Sequence, residues 1–390
     1  MNVAANNAAD PADLADSTVG RRMHPLLEAR RYLLEPYADF AAIPPEAQAA
    51  WKAPYGEPED WDLDVFSLAI DGPHGSIPVR VYQPAPVPAA TKSGAALLTG
   101  LTGPASTPKP DDEPSEESNP GRPCLIWMHG GAFAFGDLDM PEAHEVARGV
   151  AGRANAVVIS VDYHLTPIPP ELGGKPGTRL DAAGNPIAYP IPFDDVAAVV
   201  AAVRNGARRI GVDPARIALG GASAGATLAA GVSLRLGRAG VPLWRLLMLY
   251  PVVHRDYSVN PDVAAAIAAA PAALQFPKWM RAAIERSLLG GNAANEIPNV
   301  LPDEAFPGLA PDLVVLPPTF IEHAEFDVFR ASGEAFAQQL RAASVDVVEQ
   351  MAQGVPHGHL DWVGFEPAHA TLDAMAEFLT HVAADTGAYG

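Results

Sequence analysis

From residue 124 onward, short apolar runs alternate with stretches of helical periodicity. CLIWM (124–128), AVVISVDY (156–163), RIALG (216–220), LLMLY (246–250), PTFIEH (318–323) and residues 345–351 read as strands. Helices are expected over 193–205, 224–236, 331–343 and 368–383. Asp194 and Asp195 fall in the first turn of the 193–205 stretch, where the helix dipole favours anions. Strands that are apolar throughout, without polar alternation, are buried on both faces. The pattern therefore requires a mostly parallel central sheet with helices on both sides. Upstream, residues 64–70 and 78–82 flank a Gly/Pro/His turn and predict a hairpin, which adds an antiparallel edge. Residues 256–300, with Ala-rich stretches and PKWMRAAIERSLL, interrupt the alternation and read as an inserted helical element.

Residues 1–60 read as an N-terminal tail followed by covering helices, and residues 61–390 as the main domain. The first twenty residues are Ala/Asn/Asp-rich and aperiodic. Over 21–37, Met23, Leu26, Leu27, Leu33 and Leu34 recur at helical spacing behind Pro25, which predicts an amphipathic helix. Positions 84–123 carry nine prolines, and DDEPSEES (111–118) adds five acids. Such a stretch buries too little apolar surface to offset its ordering entropy, so a disordered-type surface insertion is expected.

The chain has 26 basic against 46 acidic residues, a formal charge of −20, which argues against a nucleic-acid or anionic-membrane partner. No apolar run approaches the roughly 20 residues of a membrane helix, and the N-terminus lacks the pattern of a secretory signal. A single cysteine, Cys124, cannot form an internal disulfide. These features predict a cytoplasmic protein, with Cys124 as a buried small hydrophobe in its strand.

The run Gly221-Ala222-Ser223-Ala224-Gly225 lies between the RIALG strand and an Ala-rich helix. A sharp strand-to-helix turn leaves no room for flanking side chains, hence the glycines. It lifts the serine hydroxyl above the sheet edge and aims the Ala224 N–H at the place where an oxyanion would form. His129-Gly130-Gly131-Ala132 follows the CLIWM strand directly. Its paired glycines expose backbone donors, so Gly130, Gly131 and Ala224 are the expected oxyanion hole. His129 is expected to brace the loop.

These two blocks, together with Val161-Asp162-Tyr163-His164-Leu165-Thr166-Pro167, resemble the hormone-sensitive-lipase-like branch of the α/β-hydrolase esterases and lipases. The resemblance runs from about Val79 to His357. It implies an α/β-hydrolase fold with a helical cap built from the N-terminal region and residues 256–300. Asp327-Val328-Phe329-Arg330-Ala331-Ser332 matches the family's acid block, and Val355-Pro356-His357-Gly358 its base loop. The implied catalytic residues are Ser223 as nucleophile, His357 as base and Asp327 as the acid that orients it.

The implied activity is hydrolysis of carboxylic esters, short- to medium-chain in the acyl part, through an acyl-enzyme. It needs no metal or organic cofactor. A small-molecule ester is the expected partner, and a homodimer is consistent with the family. The same triad would serve an activated amide, a formamide or a lactone, and a non-catalytic ligand receptor on this fold is a further alternative.

Four departures stand out. Ala222 replaces the usual Asp or Thr, Ala132 replaces the last glycine of its block, and Ile168 stands where Glu often follows. Asp327 lacks the downstream acidic pair, which leaves Glu325 and Glu322 as alternative acids. His357-x-His359-x-Asp361 has a metal-ligand spacing, but no further His or Cys accompanies it, so no metal is expected. His359 is expected to line the pocket or the surface.

Overall fold

The computed structural model describes residues 21–85, 121–175, 179–291 and 301–381. The tail 1–20, most of the 84–123 insertion and the end of the 256–300 segment lie outside the described residues. Eight strands form a single sheet in the order β1-β2-β4-β3-β5-β6-β7-β8. They are β1 (Leu63–Gly72), β2 (Gly75–Pro84), β3 (Arg122–Met128), β4 (Val157–Val161), β5 (Val212–Ala222), β6 (Arg245–Leu249), β7 (Thr319–Phe326) and β8 (Val347–Pro356). β1 and β2 form the hairpin, β2 pairs antiparallel with β4, and the other pairings are parallel.

The helices are α1 (Pro25–Glu28), α2 (Pro45–Trp51), α3 (Pro141–Ala154), α4 (Ile191–Gly206), α5 (Ala224–Arg238), α6 (Pro261–Ala269), α7 (Lys278–Leu288), α8 (Arg330–Ala342) and α9 (Glu366–Thr380). The two-residue period of the strands sorts their side chains between two cores. Cys124, Ile126 and Met128 of β3 point into the core covered by α4, α5 and α8. Leu125 and Trp127 point into the other, covered by α3 and α9. β6 divides in the same way, Leu246 and Met248 against Leu247 and Leu249. The apolar runs are continuous because each strand has a helix on either side. Cys124 is fully buried, and burial pushes its thiol pKa up, which leaves it inert.

The helix expected over 21–37 is instead two short turns, α1 and a 3₁₀ turn at Arg31–Leu33. The break at Ala29–Arg30 has a tertiary cause. The Arg30 guanidinium donates to the carbonyls of Trp51, Ala53 and Pro54, while Leu27 and Leu34 are both buried. This N-terminal segment touches the inserted one: Arg31 donates to the Ala269 carbonyl at 2.9 Å, and the 3₁₀ turn Phe40–Ala42 packs against Ala272–Leu274.

Candidate active site

In a parallel sheet the C-terminal ends of the strands share one edge, and the loops leaving β3, β5, β7 and β8 meet there. Phe326 of β7 lies opposite Pro356 of β8, so the next residues, Asp327 and His357, leave the sheet side by side. His357 Nδ1 donates to Asp327 Oδ2 at 2.7 Å, and Asp327 Oδ1 accepts the Phe329 N–H at 2.9 Å. Asp327 is buried, so its carboxylate must act as acceptor on both oxygens. With Nδ1 donating, Nε2 of the neutral ring is left as an acceptor, and it lies 2.8 Å from Ser223 Oγ. The three side chains form one continuous hydrogen-bonded chain.

Ser223 joins β5 to α5 with φ +52° and ψ −117°, a sparsely populated conformation for a residue with a side chain. Its N–H is fixed to the Leu249 carbonyl at 2.9 Å. The flanking glycines are steric requirements. A Cβ on Gly221 would sit 2.3 Å from the Gly225 carbonyl carbon, and one on Gly225 only 2.1 Å from the Met128 carbonyl oxygen.

The expected oxyanion donors divide. The Gly130 N–H is not open to the cleft, because it donates to the carboxylate of Glu142, which the first turn of α3 brings beneath the loop. This removes Gly130 from the donor set. The N–H groups of Gly131, Ala132 and Ala224 make no hydrogen bond among the described residues. Gly131 has φ +107°, and a Cβ there would lie 2.1 Å from the Phe135 carbonyl oxygen. Ala132 and Phe133 continue the left-handed run at φ +54° and +60°.

Where the family pattern places a carboxylate after the Tyr-x-Leu-x-Pro block, other groups do the bracing. Arg179 donates to the Ala134 and Thr166 carbonyls, and Ser287 of α7 to that of Pro167. His129 is buried and stacked on Tyr163, with ring centroids 4.8 Å apart. Its Nδ1 donates to the Gly130 carbonyl, and burial pushes its pKa down, so it braces the loop as a neutral ring.

Glu325 accepts from the Gly354 N–H and pairs with Arg21, while Glu322 accepts from Gln350 and Thr371. Neither reaches His357. His359 is not on a pocket wall or the surface. It is fully buried, with Nε2 3.0 Å from Thr371 Oγ1, and Asp361 pairs with Lys52. The members of the His-x-His-x-Asp run thus face three different partners, because the turn at Gly358 (φ +76°) splays them apart.

Three contributors escape the sequence reading. Glu142 is one, and Tyr250 is another: its hydroxyl donates to Glu142 Oε2 at 2.6 Å and its ring meets His357 edge-on at 4.9 Å. The third is Phe276 from the inserted segment, which with Phe329 walls the same imidazole, each at 5.1 Å. A proline before an acid is an ordinary helix-start signal in Pro141-Glu142, and nothing local marks that acid as buried.

The alpha/beta hydrolase fold family model matches residues 125–170 and 186–361, more than half of the chain. The chain belongs to this family. The three sequence blocks of the hydrolase, with Asp327 and His357, all lie inside the matched residues. It is similar to esterase LipI of Mycobacterium tuberculosis, 30% identical over 80% of each chain. Carboxylesterase NlhH of the same species is 33% identical over 64% of this chain and 70% of its own. Among solved structures, esterase LipW from Mycobacterium marinum shares the fold with a TM-score of 0.63 at 24% identity, covering 92% of this chain and 95% of that one.

Proposed function

We propose that this hydrolase cleaves carboxylic esters through an acyl-enzyme formed on Ser223. His357 Nε2 takes the hydroxyl proton as Oγ bonds to the ester carbonyl carbon, and the carbonyl oxygen becomes an oxyanion facing the N–H groups of Gly131 and Ala224. Collapse breaks the bond to the alcohol, which leaves with the proton returned by His357. Water then repeats both steps and frees the acid. Asp327 keeps the ring in the tautomer with Nδ1 protonated and stabilises the imidazolium. The N-terminal turns and the 256–291 segment act as the cap, and Phe276 contributes to keeping water from the imidazole.

The observation that carries this reading is the unbroken chain Ser223–His357–Asp327, at 2.8 and 2.7 Å. The esterase names of the relatives at 30% identity and above support the same chemistry. Among the described residues no helix is long and apolar enough to cross a membrane.

The test is a series of p-nitrophenyl esters of increasing acyl length, with a matching anilide, assayed on the full chain and on Ser223→Ala. Ester hydrolysis is expected to vanish in the variant. Full retention rejects the mechanism, and preference for the anilide redirects the substrate class to amides.

A further inference from the structure

Glu142 is buried, and no cation forms an ion pair with it among the described residues. A carboxyl group is costly to bury unless its oxygens are hydrogen-bonded, and both of these are. Burial pushes its pKa up, and neighbouring Asp361 adds to this. Its two oxygens serve two different parts of the site. Oε1 accepts the Gly130 N–H, and Oε2 accepts the Tyr250 hydroxyl. Gly130 in turn lies against the nucleophile, since a Cβ built on it would be 3.1 Å from Ser223 Cβ and 2.6 Å from Glu142 Oε1. Tyr250 (φ +40°) sets its ring edge-on to His357. The main chain at Glu142 is held as well, because its backbone carbonyl accepts the Trp127 indole N–H at 2.8 Å.

We propose that Glu142 is a positioning residue that spans the oxyanion loop and the seat of the catalytic histidine, fixing both to one carboxylate. It touches no reacting atom. It holds the Gly130 peptide, and so the direction in which the following Gly131 N–H faces, and it holds the ring against which His357 rests. This inference rests on the proposed ester hydrolysis and names a residue outside the triad on which that hydrolysis depends.

A donor displaced by about 1 Å costs on the order of 100-fold in rate. Glu142→Ala is therefore expected to lower kcat and kcat/KM together by ~30–100-fold, with KM within about twofold, the pattern of an interaction made in the transition state. Glu142→Gln keeps an acceptor for Gly130 and a partner for the tyrosine hydroxyl, and should recover at least ~10-fold of that loss. Glu142→Asp keeps the carboxyl group but is one methylene short of spanning both partners, and should lose ~10-fold in kcat. If Glu142→Ala does not fold, the aspartate variant decides. The proposal is overturned if folded Ala or Asp variants keep kcat within twofold, if the loss lies in KM alone, or if Gln recovers nothing. Ser223→Ala runs alongside: hydrolysis surviving there sinks the esterase mechanism itself, whereas its loss beside an unaffected Glu142→Asp sinks only the positioning role.

Discussion

Replacing Gly225 by alanine probes the geometry of the nucleophile turn with one methyl group. The new Cβ would lie 2.1 Å from the Met128 carbonyl oxygen and 2.6 Å from that of His129. Both are backbone atoms that cannot swing aside: Met128 ends β3 and is held by pairing to β4 and β5, and the His129 carbonyl accepts the Tyr163 hydroxyl. Ordinary contact begins near 3.4 Å, so α5 and the end of β3 must part by roughly 1 Å. Overpacking of this kind costs about 1–3 kcal/mol of stability. The catalytic cost is larger, because the separation falls between Ser223, which caps α5, and Gly131, which follows β3. A misplacement of that size costs ~100-fold, or about 2.7 kcal/mol of barrier. The measurement is kcat/KM for p-nitrophenyl butyrate beside a thermal melt. A folded Gly225→Ala enzyme with activity within threefold of the parent would refute the claim that glycine is required there by contact with β3.

Asp327→Asn is expected to reduce kcat by about 10³–10⁴, because an amide facing Nδ1 permits the wrong imidazole tautomer. Glu322→Gln and Glu325→Gln should stay within about fivefold, since those acids are engaged elsewhere; a larger loss in either, with Asp327→Asn active, would transfer the acid's role. A pH experiment addresses Glu349, whose pKa is lowered, first by its hydrogen bond to His323 and then, against the opposing effect of burial, by Arg341. A depressed carboxyl stabilises the fold above its unfolded value, near 4.5, and loses that contribution as pH falls through the lower folded value. Glu349→Gln should therefore lower Tm at pH 7 and converge with the parent in acid; a penalty that persists at pH 2 contradicts this origin.

Much of the frame is legible from residue order. The strands of the parallel sheet appear as apolar runs because each is covered on both faces. The glycines around Ser223 are readable because a turn that tight admits no side chain. Helix α3 is not anticipated, since its buried face is made of alanines, a glycine and two valines together with the acid Glu142, and a buried acid at a helix start reads from sequence as a solvated one. The 21–37 helix fails for the opposite reason: its apolar spacing is real, but the bonds from Arg30 to a segment more than twenty residues away override it.

Local chemistry marked Ser223 as a nucleophile in its tight turn, whereas the base and the acid, His357 and Asp327, came from the family resemblance, and the fold brings the three within hydrogen-bond reach. Which backbone donors remain free is another matter. Gly130 carries the same N–H as Gly131, and only the approach of Glu142, whose other oxygen is bound to Tyr250 over a hundred positions away, takes one out of use and leaves the other open. Hydrogen bonds between distant elements carry no periodicity, so that division of labour exists only once the chain is folded.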